Sequence, residues 1–243
     1  MGHIQLAVTD VDAQKNFWIS IMGGKLVHNG ASELIQFPGV YITLRKAGPL
    51  EPSAGSIVNH FGMVVKDMPG AVAKWKAAHL EVEPTENPNE SYVHGPDGVR
   101  VEVYGVPDLP VPIQMNHIHI YPVDIPAMKA WYVKTFGATP GQRACVACVS
   151  KPRMIETGDL PGVNLSFSQG DKPLAPTKGR VLDHIGFEVT NLEAFVKKLE
   201  AQGIKFDAGV RQAPNSKLKT AFLTDPWGIY IELTEGLASL PQN

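Results

Sequence analysis

His3, His60, His117 and His184 each stand near the start of a short apolar run: GHIQLAV, NHFGMVV, NHIHIY and DHIGFEV. A second frame recurs further along each stretch, as GVYIT (39–43), GVRVE (98–102), GVNLS (162–166) and GIYIE (228–232). Its fifth residue is Thr43, Glu102, Ser166 and Glu232 in turn. Two neutral imidazoles and one carboxylate on a common face hold Fe(II), Mn(II) or Zn(II) and leave coordination positions open. Open positions let a catalytic metal take substrate or O2 directly. Burying such groups without a partner is costly, so a cation is the expected companion of this set.

Seven residues after each histidine comes a residue of helix N-cap type: Asp10, Asp67, Asp124 and Asn191. Segments with helical spacing follow: DAQKNFWISIMGG, PGAVAKWKAAHL, IPAMKAWYVKTFG and LEAFVKKLEAQG. Gly23, Gly137 and Gly203 end three of them. Shorter runs rich in Val, Ile, Phe and Tyr come next and read as strands. The chain is therefore one βαβββ unit repeated four times, at about 2–46, 57–104, 115–168 and 181–235. One unit cannot bury both faces of its sheet. The expected fold is α+β, with four tandem modules paired into two curved mixed-sheet half-barrels, helices outside. The Pro-rich stretch GVPDLPVP reads as the boundary between domain 1–106 (modules one and two) and domain 112–243 (modules three and four). Side chains alternate across a strand. The first domain then gathers His3, Thr43, His60 and Glu102, the second His117, Ser166, His184 and Glu232.

Composition narrows the partners. The 243 residues are 44% hydrophobic and 19% charged, with a net charge of −2. No basic face points to nucleic acid and no polybasic stretch to a membrane surface. No apolar run approaches the roughly 20 residues that span a bilayer. The expectation is a cytoplasmic monomer or homodimer. A leader trimmed ahead of Met1, with a periplasmic or secreted location, is the alternative. Cys145 and Cys148 form C-x-x-C inside ACVACVS, which reads as a strand. Residues three apart face opposite ways there, so packing is expected rather than redox or zinc chemistry.

The four modules and the closing DPWGIYIEL (225–233) resemble the vicinal oxygen chelate superfamily. That superfamily includes glyoxalase I, bleomycin-resistance proteins, fosfomycin-resistance enzymes and type I extradiol dioxygenases. The resemblance covers nearly the whole chain and implies a metal-dependent enzyme whose small substrate chelates the ion through vicinal oxygens. Glyoxalase-like sites take a carboxylate from both paired modules, where this chain has Thr43 and Ser166 in the odd ones. Extradiol dioxygenases place iron in the C-terminal half, which maps the ligands onto His117, His184 and Glu232. A second set, His3, His60 and Glu102, stands in the N-terminal half. Fe(II) is the expected ion, with Mn(II), Zn(II) and Ni(II) as alternatives. The dioxygenase pattern has a tyrosine where this chain has Phe222, and a histidine absent from APNSK (213–217). His119 shares a strand face with His117 and is the substitute base, and Tyr230 is a hydrogen-bond donor beside Glu232. Asn164, Ser166, Phe222 and Trp227 are the expected substrate contacts. Dioxygenase-like chemistry comes first. A lyase, isomerase or thiol transferase is the alternative, then a metal-free ligand-sequestering protein.

Overall fold

A computed structural model describes residues 2–48, 50–213 and 216–240, so 213–217 is described only in part. Module one holds β1 (His3–Val8), α1 (Val11–Lys15) running into a π-helical stretch (Asn16–Ile21), β2 (Lys25–Asn29), β3 (Ser32–Phe37) and β4 (Val40–Lys46). Module two holds β5 (Val58–Val65), α2 (Met68–Ala77), β6 (Glu81–Pro84), β7 (Glu90–His94) and β8 (Arg100–Gly105). Module three holds β9 (Ile113–Ile120), α3 (Ile125–Phe136), β10 (Thr139–Ala144), β11 (Met154–Leu160) and β12 (Val163–Phe167). Module four holds β13 (Leu182–Glu188), α4 (Leu192–Ala201), β14 (Ala208–Gln212), β15 (Lys219–Thr224) and β16 (Tyr230–Glu235).

Local chemistry sets these boundaries. The side chains of Asp10, Asp67, Asp124 and Asn191 accept from the backbone N–H of Ala13, Gly70, Ala127 and Ala194. Each satisfies a donor that a first helical turn leaves free. The glycine that opens the second frame lies at positive φ in all four modules: Gly39 (88°), Gly98 (75°), Gly162 (77°) and Gly228 (93°). That backbone state favours glycine and turns the chain into each last strand.

The modules pair differently from the expected division into 1–106 and 112–243. One eight-stranded sheet has the order β14-β15-β16-β13-β1-β4-β3-β2, joining modules four and one. The other has the order β10-β11-β12-β9-β5-β8-β7-β6, joining modules three and two. The Pro-rich segment after β8 is a short loop within one sheet. It steps over the end of β5, where Val106 N donates to Val65 O and Lys66 N to Pro112 O. Strands lie about 4.8 Å apart, so crossing one strand needs only about 10 Å, within reach of seven residues. The longer connections instead run between the sheets and bind each other, with Ile57 N donating to Ala175 O and Val181 N to Glu51 O.

Period-two alternation puts histidines on one face of each sheet and the core on the other. His60 meets Glu102 and His119 on one face, whereas Phe61 stacks on Trp18 of module one, 5.8 Å between centroids. Trp18 also meets Phe37 edge-on, so one helix packs against both sheets. Tyr132 on α3 donates to Asp225 at 3.0 Å, a second tie between the halves. The second sheet curls until its outer loops touch. Asn87 Nδ2 donates to Val146 O, and Ser150 donates twice to Glu86. Cys145 and Cys148 lie in that loop, beyond the end of β10, and are disulfide-bonded. The expected strand would have forbidden that pairing; a turn brings the two sulfurs together. Among the described residues no helix is long and apolar enough to cross a membrane.

Candidate metal centres

The swapped pairing splits the expected ligand sets. His117 lies on β9 of the second sheet, whereas His184 and Glu232 lie on β13 and β16 of the first. His3, His60 and Glu102 are divided in the same way. The same six side chains meet in two new groups, joined by His119. These are His3, His184 and Glu232 in the first sheet and His60, Glu102, His117 and His119 in the second, with donor atoms within 4.8 Å of one another in each.

In the first centre, His3 Nε2 and His184 Nε2 lie 3.2 Å apart, and each is 2.9 Å from Glu232 Oε2. Asp183 Oδ1 lies 2.8 Å from His184 Nδ1. That bond keeps a proton on Nδ1 and turns Nε2 toward the centre. Asp183 is held in turn by Arg45 and by the Gly179 N–H. Burial pushes the His184 pKa down, but bonds from Asp183 and Glu232 outweigh it and the net shift is upward. Burial pushes Glu232 up, yet the His3 charge and the bonds from His184 and His3 bring it to about 2. His3 Nδ1 is buried without a hydrogen-bond partner. A cavity of about 290 Å³ adjoins His3, Gln5, Thr43 and Glu232.

In the second centre, His60 Nε2 lies 2.8 Å and His117 Nε2 3.6 Å from Glu102 Oε2. His119 Nδ1 lies 3.2 Å from His60 Nε2, and its Nε2 is bonded to Ser168 Oγ at 2.9 Å. Asn59 and Asn116 present side-chain oxygens 2.9 Å from His60 Nδ1 and His117 Nδ1. Arg100 and Tyr104 donate to those same oxygens, which fixes the amide orientations. Burial lowers His60 to about 4 and His119 to about 3, so both are neutral at ordinary pH. Burial pushes Glu102 up, but the His117 charge and bonds from His117, His119 and His60 hold it well below the usual range. Arg100 pairs with Glu83 and stacks on Tyr92, leaving the carboxylate of Glu102 to the imidazoles and the Tyr92 hydroxyl.

The centres repeat one register. Gln5 stands opposite His184 as His119 stands opposite His60. Gly62 and Gly186 face the rings of His117 and His3. Converging lone pairs on one carboxylate suit a divalent cation, and both donor sets fit one.

The other expected contacts divide too. Phe222 and Tyr230 stack on each other and meet the His184 ring edge-on, at the first centre. Asn164 and Ser166 belong to the second centre, where Ser166 donates to Asn164 and accepts from Arg143. Trp227, in the loop before β16, meets Trp131 of α3 edge-on. The unexpected participants are Arg143, Glu90 and the Asn or Asp preceding three of the histidines. The dipeptides Asn59-His60, Asn116-His117 and Asp183-His184 were a readable signal. Glu90 is 2% exposed with one carboxylate oxygen unpaired, and burial followed by the Glu102 charge raises it to about 8.

Known proteins place this geometry in context. The sequence matches the Glyoxalase/Bleomycin resistance protein/Dioxygenase superfamily over residues 1–103 and 114–233. No curated protein matches the sequence at a significant level. Glyoxalase I from Zea mays is similar in structure, at TM-score 0.75 and 16% identity, covering 96% of this chain and 91% of its own. A putative dioxygenase from Bacillus subtilis is similar at TM-score 0.69 and 15% identity, covering 97% and 86%. At such identities the likeness is one of fold. With four βαβββ modules and a sequence match across both sheets, the chain belongs to the Glyoxalase/Bleomycin resistance protein/Dioxygenase superfamily.

Proposed function

We propose that this protein is a divalent-metal-dependent enzyme acting on a small substrate that chelates the ion through two neighbouring oxygens, with the reaction at the second centre. The observation that carries the reading is the convergence there of His60, Glu102, His117 and His119 within 4.8 Å. The rings of His60 and His117 are locked from behind by Asn59 and Asn116. When bound, the cation supplies Lewis acidity, and Fe(II) in particular supplies O2 chemistry. The protein does the rest. Tyr92 donates to Glu102 at 3.3 Å and Ser168 fixes the His119 ring, so the donors are oriented in advance. His119, with its basicity depressed to about 3, suits a neutral ligand better than the expected general base. Dioxygenase-like turnover is the first reaction class, and lyase, isomerase or thiol-transferase chemistry the alternative.

A second reading places the reaction at His3, His184 and Glu232, favoured by the adjoining cavity of about 290 Å³. Elemental analysis and O2 uptake on the native protein, Glu102→Ala and Glu232→Ala decide between them. The expected result is about two equivalents of metal, one lost in each variant, with turnover lost only in Glu102→Ala. Loss only in Glu232→Ala moves the reaction to the first centre. Zinc, manganese or nickel without O2 uptake favours the lyase or isomerase class. No metal in the native protein favours a ligand-sequestering protein.

A further inference from the structure

The second centre has a cation of its own. Arg143, near the end of edge strand β10, reaches across β11 to Ser166 on β12 and onward to His117. Its Nε donates to Ser166 Oγ at 2.8 Å, and its Nη2 lies 3.3 Å from His117 Nε2. Ser166 donates onward to Asn164 Oδ1 at 2.7 Å, and Asn164 donates to Asp159. The guanidinium is thus aimed by a chain of three side chains.

In neutral His117, Nδ1 donates to Asn116 and Nε2 carries the lone pair, which Arg143 then uses. The same lone pair is the one His117 offers to a cation. The two uses exclude each other. Arginine stays charged at any ordinary pH and keeps its donors. Once His117 gives its lone pair to a cation, Arg143 Nη2 has no acceptor there, and two positive charges stand close together in a buried place. An anion is the ligand that relieves both conditions, and a planar guanidinium fork matches a carboxylate. At the first centre, among the described residues, Arg45 is paired with Asp183 and Lys178 lies over the Tyr230 ring.

We infer that Arg143 makes the second centre selective for chelating carboxylates, compounds of the 2-oxo acid, 2-hydroxy acid or oxalate kind, over uncharged diols and hydroxy ketones. This rests on the metal reading of that centre. Arg143 would grip a carboxylate oxygen of the ligand with the donor that now serves His117. Asn164 and Ser166 are then positioning residues rather than substrate contacts.

The test uses the full chain carrying Glu232→Ala, so that only the second centre takes metal. Co(II) is added, and its visible spectrum is followed during titration with oxalate and, separately, with catechol. Replacing Arg143 by Met is expected to weaken oxalate roughly 10- to 100-fold, the range of a hydrogen bond to a charged group, while catechol changes less than threefold. Arg143→Met is also expected to bind Co(II) itself more tightly, because a competitor for the His117 lone pair is gone. One equivalent of Co(II) in the variant shows that the centre is intact. Arg143→Lys, which keeps charge and loses the fork, should fall between. Unchanged oxalate affinity in Arg143→Met, as would follow if the guanidinium turned to Glu90 instead, overturns the assignment. So does an equal loss for oxalate and catechol. If the Glu232→Ala protein takes up no Co(II), the metal reading itself fails, and the Arg143 assignment with it.

Discussion

Each centre depends on a glycine. A Cβ at Gly62 would fall 2.1 Å from His117 Cε1, and one at Gly186 2.2 Å from His3 Nδ1. Both distances are far inside contact, and both rings are buried among strands, so neither can step aside without leaving its centre. Gly62→Ala should therefore cost the second centre its metal and spare the first, and Gly186→Ala should do the reverse. Elemental analysis of the two variants reads this directly; full metal in both would show that the rings have room to move. Glu90 makes a different prediction. Its pKa is raised in the folded state to about 8, from 4.5, chiefly by burial. The folded protein then holds a proton that the unfolded chain releases between those values. Its contribution is present below about pH 4.5 and is lost as pH rises through about 8. In chelator-treated protein, Tm should fall with rising pH across that window, and Glu90→Gln should flatten the slope. An unchanged slope in the variant would place the titrating group elsewhere.

At the scale of elements, much was legible because the signals are local. An Asp or Asn one turn before a helix satisfies that helix wherever the module goes, and Asp10, Asp67, Asp124 and Asn191 all do so. The alternation that puts His60 on one face and Phe61 on the other is equally local. The partner of each strand was not legible. All four first strands carry a histidine in one frame, so β1 fits beside β5 or β13 by pattern alone, and connection length decides. The segment 106–112 was read as a boundary for its prolines, whereas its shortness is what places β8 and β9 in one sheet. The expected side-chain types therefore do converge, but in groupings other than those expected. The Asx-His dipeptides were legible in principle, since donor and acceptor are neighbours in sequence. Arg143 was not, because it arrives from an edge strand through β11 and β12.

For the whole molecule, the swapped pairing means that no half of the chain contains a complete sheet. Every described donor set draws on both halves: His3 with His184 and Glu232, His60 and Glu102 with His117 and His119. A break between Asp108 and Leu109, next to the exposed Pro107, should therefore leave a protein that still assembles from two pieces. Residues 1–108 alone would expose both β1 and β5, each lacking the antiparallel neighbour it has in the intact chain. Unpaired edges of that kind favour aggregation over a stable fold. Co-expressed with 109–243, the fragment should form a one-to-one complex, since each piece supplies one module to each sheet. The complex should hold both metal equivalents, and its Tm should rise with protein concentration because folding has become bimolecular. The intact chain should show no such dependence. Size-exclusion chromatography with metal analysis of the separate and joined fragments checks this. A soluble, monomeric 1–108 that binds metal alone would mean that modules one and two can pair with each other, and that the seven-residue loop, rather than any preference between strand faces, selects the native partners.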